Sequence, residues 1–109
     1  MIENIRAIES YVSGMNLAAF RADAKTYDAV ERCLERISEA ASKLGATASD
    51  LMPDQPWQEI RALGNRLRHE YDIIREDRLW AIVRVDLPRL LVACEIPIAR
   101  LKKDTDLLL

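Results

Sequence analysis

Six apolar residues, Tyr27, Val30, Leu34, Ile37, Ala41 and Leu44, recur at alternating steps of three and four along one stretch of this chain. That spacing lines one face of an α-helix of about 20 residues, whereas a strand would alternate faces at every position. A stripe this long must be covered by other helices. Asp23 is a candidate N-cap for it and Gly45 a candidate stop. Glu31, Arg32, Glu35, Arg36 and Glu39 fall on the outer arc, where opposite charges one turn apart can pair.

The helical period returns elsewhere. Ile2, Ile5, Ile8 and Val12 predict a first helix ended by Gly14, and Asn16 can cap a short turn holding Leu17 and Phe20. Trp57, Ile60, Gly64, Leu67, Tyr71 and Ile74 repeat the three-and-four pattern, with Pro56 suited to the first helical position. Gly64 lies on that apolar stripe. A mid-helix glycine costs about 1 kcal/mol against alanine, so the close approach of another backbone is the expected compensation. Residues 45–55 read as a loop. Asp77 can cap a last helix through Leu79, Trp80, Ile82, Val83, Leu87, Leu90, Leu91 and Cys94. Pro88 and Pro97 should kink or interrupt it, and the tail from Leu101 should fray. Three glycines in 109 residues leave little turn material for a many-stranded β fold. The expectation is an all-α protein, one domain over residues 1–109, built as an antiparallel bundle of four to five helices. A chain this small with such stripes is also expected to form a homodimer.

Charge and cysteine usage exclude several functions. Sixteen Lys and Arg against eighteen Asp and Glu give a formal charge of −2. Binding nucleic acid by bulk positive charge is therefore excluded, and any such contact must use a local patch. No apolar run is long enough to span a membrane. The N-terminus MIENIRAIES carries acids where a signal peptide needs a basic start, so a cytoplasmic location is expected. Cys33 and Cys94 each fall in a helical pattern and read as core thiols. Two cysteines and one histidine, without paired-ligand spacing, predict no metal, and nothing in the sequence implies a cofactor. Trp57 and Trp80 read as core anchors.

The polar side of the helix that begins near Trp57 is where chemistry can reside. With Arg61 as origin and 100° per residue, Asn65 falls at about 40°, Arg68 at about −20°, His69 at about 80° and Asp72 at about 20°. Arg66, at about 140°, points elsewhere, and Tyr71, at about −80°, borders the apolar stripe. The one histidine thus shares an arc with two guanidiniums, an amide and a carboxylate. An imidazole can take a proton from an RNA 2′-hydroxyl or return one to a leaving oxygen. Arginine grips a phosphate through two donors and offsets transition-state charge. Asp72 or Asn65 can orient the ring. Acid–base cleavage wants two proton-transfer groups, and a two-fold dimer would supply the second from its partner. The bland reading of the same residues is a solvated, salt-bridged helix face.

The run Trp57-Gln-Glu-Ile-Arg-Ala-Leu-Gly-Asn-Arg-Leu-Arg-His-Glu-Tyr-Asp resembles the signature helix of the HepT-like branch of the HEPN superfamily. Tyr27 to Arg32, Ile37 to Ala41, Met52 to Trp57 and Trp80 to Leu91 resemble the family's flanking segments. The resemblance implies a dimeric helical bundle with active clefts at the dimer interface. It also implies metal-independent RNase activity as the toxin of a toxin–antitoxin pair, with a minimal nucleotidyltransferase (MntA-like) as antitoxin. By the same resemblance, His69 is the motif histidine, Asn65 its polar neighbour and Tyr71 the tyrosine that accepts AMP in some pairs. The family's arginine position, just before the asparagine, holds Gly64 here. Arg61 and Arg68 lie to either side of it and are the candidate phosphate contacts. A non-enzymatic binding module that partners a nucleotidyltransferase is the alternative expectation.

Overall fold

The structure, a computed structural model, describes residues 1–69 and 75–108, with side chains described through Arg68 and from Arg75 to Leu101. Its elements are α1 (Ile2–Tyr11), α2 (Leu17–Ala22), α3 (Ala24–Leu44), α4 (Ala46–Leu51), α5 (Trp57–His69), α6 (Glu76–Ala81), a π-helical segment (Ile82–Asp86) and α7 (Leu87–Leu108). No strand occurs among the described residues, so the all-α expectation holds. The bundle rests on α1, α3, α5 and the continuous rod from α6 to α7, with α2 and α4 at corners.

The central stripe does what its spacing requires. Val30, Leu34, Ile37 and Ala41 are buried, Tyr27 is half-buried, and only Leu44 at the helix end is exposed. Asp23 caps α3, its carboxylate accepting from the Thr26 amide at 3.1 Å, and that bond holds the carboxyl below its ordinary pKa. Asn16 caps α2 in the same way through the Ala19 amide. Ile5 and Ile8 of α1, Phe20 of α2 and Leu79 of α6 complete the core at zero exposure, each such side chain contributing about 1.5–3 kcal/mol of transfer free energy. Phe20 lies 6.0 Å from the Tyr27 ring and 5.1 Å from that of Trp80. Cys33 and Cys94 are free and buried, as core thiols.

Four expectations are corrected. The stretch after Gly45 is not all loop: Ala46–Leu51 form α4, which buries only Ala48 and so leaves no apolar period to read. Pro56 sits one residue before α5 rather than inside its first turn, its carbonyl accepting from the Ile60 amide. Arg75, not Asp77, occupies the N-cap of α6. Asp77 lies in the first turn, where it pairs with Arg75 at 3.0 Å and accepts from the Arg78 amide. Finally, neither proline ends its helix. Leu87 follows Leu79 by eight residues, and a regular α-helix would carry it about 80° off the buried line. The π-helical segment absorbs this surplus, the Leu87 amide donating to the Ile82 carbonyl five residues back. Leu79, Val83, Leu87, Leu90 and Cys94 consequently all face the core. Pro88 enters directly after the wide turn, and α7 passes through Pro97 and continues to Leu108 in place of a frayed tail. Past Cys94 no described side chain is buried, so the end of α7 runs beyond the core, and the molecule, α7 included, measures 51 × 30 × 19 Å. No helix among the described residues is long and apolar enough to cross a membrane.

Candidate functional site

α5 carries the polar cluster, and contacts made by Trp57, Gly64, Ser38 and Arg61 determine how it sits. The Trp57 indole, buried at the helix start, donates to the Met52 carbonyl at 2.8 Å and pins the entry of the chain. Gly64 is buried against α3, where an added Cβ would overlap Ser38 Oγ and Cβ. A close approach is present at Gly64, but the neighbour is the Ser38 side chain and not the expected backbone. Ser38, only 1% exposed, donates its hydroxyl to the Arg61 carbonyl at 3.2 Å. Arg61 in turn donates from Nη2 to the Gly45 carbonyl at 3.0 Å and from Nε to the Ala41 carbonyl at 3.4 Å. Residue 61 thus meets residues 41 and 45, and residue 64 meets residue 38, so α5 runs antiparallel to α3.

The polar residues divide accordingly. Arg68 Nη2 donates to Asn65 Oδ1 at 3.4 Å, both side chains being exposed. The same guanidinium nitrogen would lie 3.3 Å from a Cβ on Gly64, so Arg68 folds back over the glycine. Arg61 does not join them, because its guanidinium is engaged at the C-terminal end of α3, where the helix dipole favours a cation. His69 is the last residue of α5, one turn beyond Asn65. The His69 side chain, and Tyr71 and Asp72 altogether, lie outside the described residues. Arg66 lines the other flank of α5, as its angular position predicts. There it borders a groove of about 400 Å³ also lined by Leu34, Ile37, Leu63, Arg78 and Arg89. Asp54, Glu59 and Asp86 line the same groove, so its field is not of one sign.

The Tyr27 phenol and the two thiols are tuned away from proton transfer. Burial, aided by the Glu31 carboxylate, pushes the Tyr27 phenol up to about 12. Burial also raises both cysteine thiols, which keeps them protonated and unreactive. Among the described residues no three His, Cys, Asp or Glu side chains gather as metal ligands. Sequence reasoning passed over Ser38. Its signal was a small polar residue on the apolar face of α3, in the line Leu34, Ser38, Ala41.

A family model described as Ribonuclease HepT-like matches residues 1–96. A Thermococcus cleftensis protein named "Probable ribonuclease HepT" is 34% identical over 88 residues, covering 81% of this chain and 80% of the relative. A Methanocaldococcus jannaschii protein that also bears an RNase name is 33% identical over 88 residues, covering 81% of this chain and 73% of its own. A second protein of that organism, likewise with an RNase name, is 38% identical over 68 residues, or 62% of each chain. No solved structure matches the chain significantly.

Proposed function

The chain belongs to the Ribonuclease HepT-like family, and on that premise we propose that it is a metal-independent RNA endonuclease. The observation that carries the reading is the Arg68–Asn65 pair on α5, one turn before His69. Arg68 is the phosphate contact, exposed and held among the described residues by one long hydrogen bond that a phosphate oxygen can outcompete. The engagement of Arg61 with α3 favours Arg68 for this part. His69 is the acid/base, Asn65 the residue that orients it, and Asp72 a further orienting group. His69 takes the proton of the 2′-hydroxyl, and the freed oxygen attacks phosphorus. The bond to the 5′-oxygen breaks, and a second imidazole gives that oxygen its proton. The second imidazole comes from a partner copy in a homodimer whose cleft is shared. The products are a 2′,3′-cyclic phosphate and a 5′-hydroxyl.

Purified protein is expected to cut single-stranded RNA with EDTA present and to leave those ends, read by end-group analysis. Intact RNA at every protein concentration, together with a stable complex with a nucleotidyltransferase, would replace this reading with that of a binding module.

The cellular part we propose is that of a toxin paired with a minimal nucleotidyltransferase (MntA-like) antitoxin. Tyr71 accepts AMP from ATP, with release of pyrophosphate, which places an anion two residues from His69 and excludes RNA by charge. Incubation with such a partner and ATP should add the mass of one AMP, and Tyr71→Phe should remove that gain. A gain that persists in Tyr71→Phe would put the acceptor elsewhere.

A further inference from the structure

Arg61 and Ser38 join α3 to α5 in both directions. The Ser38 hydroxyl of α3 reaches a backbone carbonyl of α5, and the Arg61 side chain of α5 reaches the Ala41 carbonyl of α3 and that of its cap residue Gly45. Together these bonds hold α5 at Ser38 and, about one and two turns further on, at Ala41 and Gly45, and the absence of a side chain at Gly64 lets the helices approach closely. We propose that Ser38 and Arg61 are positioning residues, a two-way latch that fixes the rotation of α5 about its own axis. Asn65 and Arg68 are presented at the angle this rotation sets. Arg61 does its work through α3 and makes no contact with what the site binds.

The activity readouts rest on the ribonuclease reading, so the test includes one that does not. Arg61→Ala, Arg61→Lys and Ser38→Ala are compared with the unaltered protein at a temperature where melting curves show all four folded. The latch predicts that Arg61→Ala lowers kcat for RNA cleavage by about 10- to 100-fold, as small misplacements of reacting groups do, with KM unchanged. Arg61→Lys, which can still donate to one carbonyl, recovers part of the loss, and Ser38→Ala shows a smaller loss of the same kind. The salt dependence of RNA binding stays as it is. Without RNA, the backbone amide resonances of Asn65 and Arg68 shift in Arg61→Ala. A raised KM with a salt slope smaller by about 0.7, the value for one lost phosphate contact on a single strand, would overturn the proposal in favour of direct contact. A lower melting temperature with kcat and those resonances unchanged would overturn it in favour of a cap for α3 alone. If the unaltered protein cuts no RNA, the ribonuclease reading fails and the resonance shifts decide the latch by themselves.

Discussion

His69→Ala is expected to remove RNA cleavage by about 10²- to 10⁴-fold, the range that a positioned proton-transfer group supplies, while leaving the helical content and melting temperature of the chain in place. The separation is expected because His69 is the terminal residue of α5, one turn past the segment that packs on α3. The contacts that fix α5, from Trp57, Arg61 and Gly64, all precede it. Initial rates on a defined RNA, measured across pH, are the appropriate readout. Two imidazoles in one cleft give a bell-shaped profile, since one must be neutral and the other protonated. Cleavage that survives the substitution at the original rate would assign the activity to a different group or to a contaminating nuclease.

Gly64→Ala is expected to destabilise the bundle by about 1–3 kcal/mol, the usual cost of overpacking a tight interior contact. The substitution also gains about 1 kcal/mol of helix propensity, so the sign depends on whether the neighbour can move. The clash is with Ser38 Oγ and Cβ, and Cβ is fixed to the α3 backbone, so rotating the hydroxyl away does not relieve it. Arg68, whose Nη2 would stand 3.3 Å from the new methyl, must also give way, but as the far end of a flexible side chain it moves at little cost. Each kcal/mol corresponds to roughly 4–8 °C of melting temperature in a domain near this size. Adding Ser38→Gly to Gly64→Ala should recover most of the loss, a coupling that a double-mutant cycle measures directly. A Gly64→Ala protein more stable than the parent would mean that α3 and α5 are not in this contact.

Most of the fold was legible because its long helices carry complete apolar stripes. The α3 stripe, the Asp23 and Asn16 caps, the Gly45 stop and the two core thiols follow from spacing and local chemistry alone. α4 did not, since six residues that bury one alanine produce no period. The continuity of the last rod was hidden for a different reason. Pro88 and Pro97 announce interruptions, and only the packing of Leu79, Leu87 and Leu90 on one core shows that a wide turn can serve instead. At the candidate site, ideal helix geometry placed Asn65 and Arg68 on a common arc, and the structure brings them into contact. It also placed Arg61 there, at an angle close to the Trp57–Gly64 line that packs on α3. Angular position does not reveal that two carbonyls at the end of another helix lie within reach of that guanidinium. Ser38 was illegible in the same sense, because a lone hydroxyl on an apolar face gains meaning only when its partner helix is known.

The end of α3 has a consequence for the order in which the chain acquires its shape. The carbonyls of Ala41 and of the cap residue Gly45, which accept from the Gly45 and Ala48 amides, take a further hydrogen bond from a side chain 20 and 16 residues further along. During synthesis this tie between α3 and α5 waits until residue 61 has emerged, and from then on only a short excursion of chain has to be brought back, at small entropic expense. The hairpin of α3 and α5 is thereby a unit that can assemble before α6 and α7 exist, and the helix bearing the candidate catalytic residues is the piece whose arrival completes it.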